Sequence, residues 1–106
     1  MHIEFSTDRN IDGKERLADH VKGVVKHALS RFTDKITRVE VHVGEEISKK
    51  ADSSGDKRCM MEARLEGRKP IAVSDHASTL DQAVKGAAKK LATSIETQLG
   101  RLNDTH

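Results

Sequence analysis

The sequence predicts an α+β fold of two layers, with elements in the order β-α-β-β-β-α: a four-stranded sheet with two helices packed on one face. Three observations carry this. Apolar residues alternate with polar ones over four short runs, and they recur at three- and four-residue steps over two longer ones. Each run offers only one apolar face, and two layers bury such faces most economically. The chain has 106 residues, which suits one domain, expected over 1–102 with a frayed tail at 103–106.

The first strand rests on Met1, Ile3 and Phe5, which alternate with His2, Glu4 and Ser6. Over residues 12–32 the period changes. Leu17, Val21, Val24, Val25, Ala28 and Phe32 form one stripe of a helix, with Asp12, Glu15 and Asp19 early and Lys22, Lys26 and Arg31 late. That order complements the helix dipole. Residues 36–44 return to period two: Val39, Val41 and Val43 face one way, Arg38, Glu40 and His42 the other.

Residues 45–57 carry almost no apolar side chain and read as a long polar loop. A third strand follows, with Cys59, Met61, Ala63 and Leu65 inward. The connection Gly67-Arg68-Lys69-Pro70 leads to a short fourth strand carrying Ile71 and Val73 and ending at Ser74-Asp75, an antiparallel hairpin. Leu80, Val84, Ala87, Leu91, Ile95 and Leu99 make the second helical stripe, with Ser78 or Thr79 as N-cap and Gly100 as C-cap. The open sheet face would carry Glu4, Arg38, Glu40, His42, Glu62, Arg64 and Glu66, a solvated mixture of signs.

Composition excludes several function classes. No apolar run approaches the ~18 residues of a membrane span. Met1, His2, Ile3 and Glu4 lack the layout of a signal peptide. A lone Cys59 makes no internal disulfide, so the expected location is the reducing cytoplasm. With two Phe and neither Trp nor Tyr, the chain has almost nothing on which to stack single-stranded bases.

Catalytic chemistry finds little support. The six histidines lack metal-ligand spacing; His20 and His27 lie two helical turns apart. No glycine-rich phosphate loop follows a strand. Cys59 alternates inward with Met61 and Ala63, as a core residue would. The expectation is a non-enzymatic protein with no metal, no cofactor and no small-molecule substrate. A small enzyme or metal protein using His20, His27 or His76 is the outlying alternative.

The basic residues are better organised than the net charge of +2 implies. Lys22 and Lys26 are four apart on the first helix, with Arg31 nearby. Lys85 and Lys89 are four apart on the second, with Lys90 beside them. If the helices lie side by side, these groups share an outward surface of the kind that meets phosphates without reading bases. The competing reading is a solvated helix face. With so few aromatic side chains, an RNA partner would be structured and met through phosphates, ribose and shape. Arg68 and Lys69 in the hairpin, and Lys49 and Lys50 in the loop, are weaker candidates.

Three stretches in this order resemble one known family. They are residues 36–43 (Ile-Thr-Arg-Val-Glu-Val-His-Val) after the first helix, residues 57–64 (Lys-Arg-Cys-Met-Met-Glu-Ala-Arg) leading to Gly67, and the last helix from Leu80-Asp81-Gln82-Ala83-Val84 to Ala88-Lys89-Lys90-Leu91. The combination resembles the ribosome hibernation factors, also called ribosome-associated inhibitors, ribosomal subunit interface proteins or sigma-54 modulation proteins, in their short form.

The resemblance implies a double-stranded-RNA-binding-like fold. It also implies a partner, the small ribosomal subunit with its structured rRNA, bound where mRNA and tRNAs would lie. Translation would be inhibited, or idle ribosomes protected, under stress. By position and type, Lys22, Lys26, Lys89 and Lys90 become the implied rRNA contacts; Lys85 and Arg31 follow from the face argument. Three departures stand out, one of them a 45–57 loop that is longer and more polar than usual. Lys90-Leu91 is followed by Ala92-Thr93-Ser94-Ile95, where many members carry Glu-Arg-Gln-Leu. Asp75-His76-Ala77-Ser78 replaces a common Glu-Asp-Met-Tyr. A second function reading is a protein-interaction module acting through the sheet edge or the 45–57 loop.

Overall fold

Alternating valines and period-3.6 stripes produce the expected β-α-β-β-β-α order. The computed structural model describes residues 1–8, 13–45 and 57–103, without the side chains of 101–103. β1 (His2–Thr7) leads to α1 (Lys14–Ala28) and a 3₁₀ turn (Ser30–Phe32). β2 (Ile36–Glu45), β3 (Lys57–Leu65), β4 (Ile71–Ala77) and α2 (Leu80–Asn103) complete the chain. Asp12, expected at the start of the first helix, lies outside the described residues, as does the 45–57 loop apart from its ends. Glu45 and Lys57 are strand residues that pair with each other.

The sheet order is β1-β2-β3-β4. β1 runs parallel to β2, which requires a crossover, and α1 supplies it. β2, β3 and β4 follow as an antiparallel meander. Gly67, with φ of 74°, takes the left-handed turn position between β3 and β4 that a side chain would disfavour.

The core lies between the sheet and the helices. Val39, Val41, Val43, Cys59, Met61 and Ala63 face inward from β2 and β3 and are buried. Val21 and Val25 from α1 meet them, as do Val84, Leu91 and Ile95 from α2. Each fully buried Val or Leu contributes roughly 1.5–3 kcal/mol. α2 lies over β3 and β4, with buried Ala83, Ala87 and Ala88 allowing close approach; α1 lies over β1 and beside α2.

Three boundaries differ from expectation, and a fourth is decided between the two residues expected. The first helix ends at Ala28, and Phe32 is buried from the 3₁₀ turn instead. β4 extends past Ser74-Asp75 to Ala77, because Lys57 and Arg58 of β3 offer Ala77 and His76 a ladder. α2 runs through Gly100 to Asn103, so Gly100 does not end it; residues 104–106 lie outside the described residues. Thr79, not Ser78, is the N-cap: the Gln82 backbone N–H donates to its Oγ1 at 3.1 Å.

The open sheet face also differs. Charges alternate in sign along each strand but not across strands. The register aligns Glu4, Glu40 and Glu62 in one row and Arg38 with Arg64 in the next. Like charges facing each other are unfavourable, and the arginines relieve them. Arg38 Nη2 donates to Glu4 at 2.8 Å and Glu40 at 2.9 Å, and Arg64 Nε donates to Glu62 at 3.4 Å. Glu66 lies beyond β3, its backbone N–H donating to the Lys35 carbonyl.

Candidate nucleic-acid interface

The two helices lie side by side and point the same way. His20 Nε2 is 2.6 Å from Asp81 Oδ1, and Arg31 Nη2 donates to Glu96 Oε2 at 3.2 Å, so both helices advance together. These contacts fix which flank of each helix faces its neighbour.

At about 100° per residue, Lys22 and Lys26 fall roughly 200° and 240° round α1 from His20. They lie on the half turned away from α2; Lys22 is half-buried and Lys26 exposed. On α2, Lys85 shares Asp81's flank and its Nζ lies 3.0 Å from Asp81 Oδ2. Lys89 projects from the exposed side. Lys90 lies on the opposite flank and reaches β4, where its Nζ donates to the Ser74 carbonyl at 3.0 Å and to Asp75 Oδ1 at 3.1 Å.

The six candidates therefore spread across the helix layer. Lys26, Arg31, Lys85 and Lys89 are on its exposed side, with Lys22 and Lys90 at its two margins. They also divide electrically. Arg31, Lys85 and Lys90 each sit on a carboxylate, while Lys22, Lys26 and Lys89 have no carboxylate partner among the described residues. Exposed pairs of this kind are worth at most about 1 kcal/mol, so a phosphate can replace the carboxylate. Arg31 also lies over the Phe32 ring at 5.0 Å.

The cations leave their mark on two acids. Hydrogen bonding from His20, then from Lys85, holds the Asp81 carboxyl below its ordinary range. Lys90 does the same for Asp75.

Sequence reasoning passed over Arg16. It lies one turn before His20 on the flank facing α2, exposed and without a carboxylate partner among the described residues. Its neighbours Asp12, Glu15 and Asp19 masked it in the charge count. Of the weaker candidates, Arg68 Nη1 donates to the Gln98 carbonyl at 3.5 Å and Lys69 is exposed; Lys49 and Lys50 lie outside the described residues.

Of the histidines named for the enzyme alternative, His20 is engaged in the interhelix bond with Asp81. Among the described residues no three metal-ligating side chains converge. A chain that sequence reasoning did not foresee runs across the open sheet face: Ser6 Oγ is 2.7 Å from His42 Nδ1, and His42 Nε2 is 2.6 Å from Asp8 Oδ1. It fastens the end of β1 to β2. Cys59 is wholly buried, and burial pushes its thiol up to about 12, with the nearby Asp75 charge adding to the shift.

Solved structures share this fold, two of them from Thermus thermophilus and Coxiella burnetii. The N-terminal domain of Thermus thermophilus Protein Y superposes with a TM-score of 0.70 at 20% identity, covering 92% of this chain and 98% of that one. A ribosomal subunit interface protein from Coxiella burnetii gives 0.66 at 17% identity, covering 94% and 99%. At such identities the likeness is one of fold. No curated protein sequence matches the chain. The family described as sigma 54 modulation protein / S30EA ribosomal protein matches residues 6–103. With nearly its whole length matched and the fold shared, the chain belongs to that family.

Proposed function

We propose that this protein binds the ribosome without catalysing a reaction, as a single cytoplasmic domain that sets its helix layer against structured RNA of the small subunit. Bound there, it inhibits translation or protects idle ribosomes under stress. Family membership supports ribosome association, and the Coxiella burnetii neighbour is itself named a ribosomal subunit interface protein.

The observation that carries the mode of binding is the exposed helix layer. Lys26 and Lys89 stand there without a carboxylate partner among the described residues, with Lys22 at its α1 margin. Lysines of this kind attract phosphates and release counterions. The lack of Trp and Tyr fits recognition by shape. No cofactor, metal or small-molecule substrate enters this reading.

Co-sedimentation with ribosomes at rising salt tests it. Lys22→Glu combined with Lys89→Glu should weaken binding and flatten the log–log salt slope by about one for each phosphate that is no longer neutralised. Unchanged co-sedimentation and slope would reject the helix layer as the RNA surface.

A further inference from the structure

β4 is an edge of the sheet, and α2 runs alongside it. Between them lies an open groove of about 490 Å³, lined by Val73 and Ser74 of β4 and by Lys89, Lys90, Thr93 and Ser94 of α2. That volume falls within the range of small-ligand sites.

The hydrogen bonding of Lys90 shows what the groove lacks. Its Nζ donates to the Ser74 carbonyl while the side chain stays 55% exposed, so this carbonyl is turned to the open side of the strand. Backbone direction alternates along an antiparallel strand. Ala72 and His76 therefore share that outward direction with Ser74, whereas Val73 and Asp75 turn toward Met61 and Cys59 of β3. Among the described residues no strand pairs with the outer edge of β4. An ammonium group occupies the place that the N–H of a neighbouring strand would take.

We propose that the groove between β4 and α2 docks an extended, acidic peptide segment of a partner protein, which adds to the sheet as a fifth strand. The partner's backbone N–H replaces Lys90 at the Ser74 carbonyl. The ammonium stays on Asp75 and turns its freed N–H to a carboxylate of the peptide, beside Lys89, which has no carboxylate partner among the described residues. Exchange is easy because the bonds of Lys90 are exposed. Alternate peptide side chains face α2, so an acidic residue at every second position meets the lysines while the others lie toward the open sheet face. The occupant is chosen by charge: both lysines on the groove wall are cationic, and the carboxylate beside them, Asp75, is held by Lys90.

The test is an amide chemical-shift titration of the full chain with a synthetic peptide of alternating Thr and Glu, against a control of alternating Thr and Lys. The expected result is shifts at Ala72, Ser74, Lys89 and Lys90 with the Glu peptide and none with the Lys peptide. Ser74→Pro removes the outward N–H at an edge position where proline is tolerated, and should abolish binding with the thermal transition retained. Lys89→Glu with Lys90→Glu leaves the backbone untouched, and should weaken the Glu peptide at least about tenfold while admitting the Lys peptide. Equal binding of the two peptides, or full binding by both variants, would overturn the proposal. So would a structured RNA hairpin that moves the Ser74 and Lys89 amides while the Glu peptide moves none; the groove would then be an RNA surface.

Discussion

The carboxyl group of Asp75 lies directly on the backbone of Gly86. A Cβ at Gly86 would stand 1.7 Å from Asp75 Oδ2 and 2.8 Å from its Cγ. In an ordinary helix, replacing glycine by alanine adds about 1 kcal/mol of stability. Here the added methyl must expel the carboxyl from Lys90 and from its seat between β4 and α2. Gly86→Ala is therefore expected to lower stability by about 1–2 kcal/mol, read as a lower urea midpoint with unchanged m. In an Asp75→Ala background the same change should become neutral or stabilising. If Gly86→Ala alone stabilises the protein, the close approach is not present in solution.

Acid should loosen the two sides of α2. Asp81 and Asp75 are held below the ordinary carboxylate range, the first by His20 and Lys85, the second by Lys90. A depressed folded-state pKa contributes stability that is fully present above the unfolded value, about 4. It is lost as pH falls from there through the folded value. Denaturation midpoints measured from pH 6 downward should fall below about pH 4. Asp75→Asn with Asp81→Asn should start lower and lose less over that window. A double variant that keeps the full acid slope would place the responsible groups elsewhere.

On the proposed reading, Glu96 would compete with RNA for Arg31. The exposed pair at 3.2 Å is worth about 0.5–1 kcal/mol at most. Glu96→Gln should free the guanidinium and tighten ribosome binding by about two- to fivefold, with a steeper salt slope. Arg31→Gln should cancel that gain. Binding unaffected by either change would remove Arg31 from the RNA-facing set.

Cys59 should be chemically silent in the folded protein. It is wholly buried, and its thiol is pushed up to about 12, so thiolate is scarce at neutral pH. A disulfide reagent at pH 7.5 should label it only as fast as the chain opens, and quickly in denaturing urea. Rapid labelling of the native protein would contradict its place among Val43, Met61 and Ala63.

Much of the fold was legible in sequence because it follows from short-range periodicity. Val39, Val41 and Val43 predict the face that β2 buries; Val21 and Val25 predict the stripe of α1. The inward place of Cys59 follows from the same alternation. Element ends were less legible because they depend on partners. Nothing local to His76 and Ala77 marks them as strand, but Arg58 and Lys57 pair with them. Gly100 has the chemistry of a helix stop, yet α2 continues past it to Asn103.

The candidate interface divides the same way. Residue type and four-residue spacing named the six cations, but spacing describes one helix at a time. Which cations stand free and which are occupied depends on contacts between segments far apart in sequence. His20 and Arg31 meet Asp81 and Glu96 only because α1 and α2 run side by side. Lys90, adjacent to Lys89, turns the other way and closes on the Ser74 carbonyl because β4 is the edge that α2 overhangs. Periodicity and composition are local properties, and they suffice for the two-layer fold, its buried faces and its stock of lysines. Tertiary structure alone decided the row of Glu4, Glu40 and Glu62, the seat of Asp75 on Gly86, and the partner of each cation. Those depend on register and helix placement, which no single segment encodes.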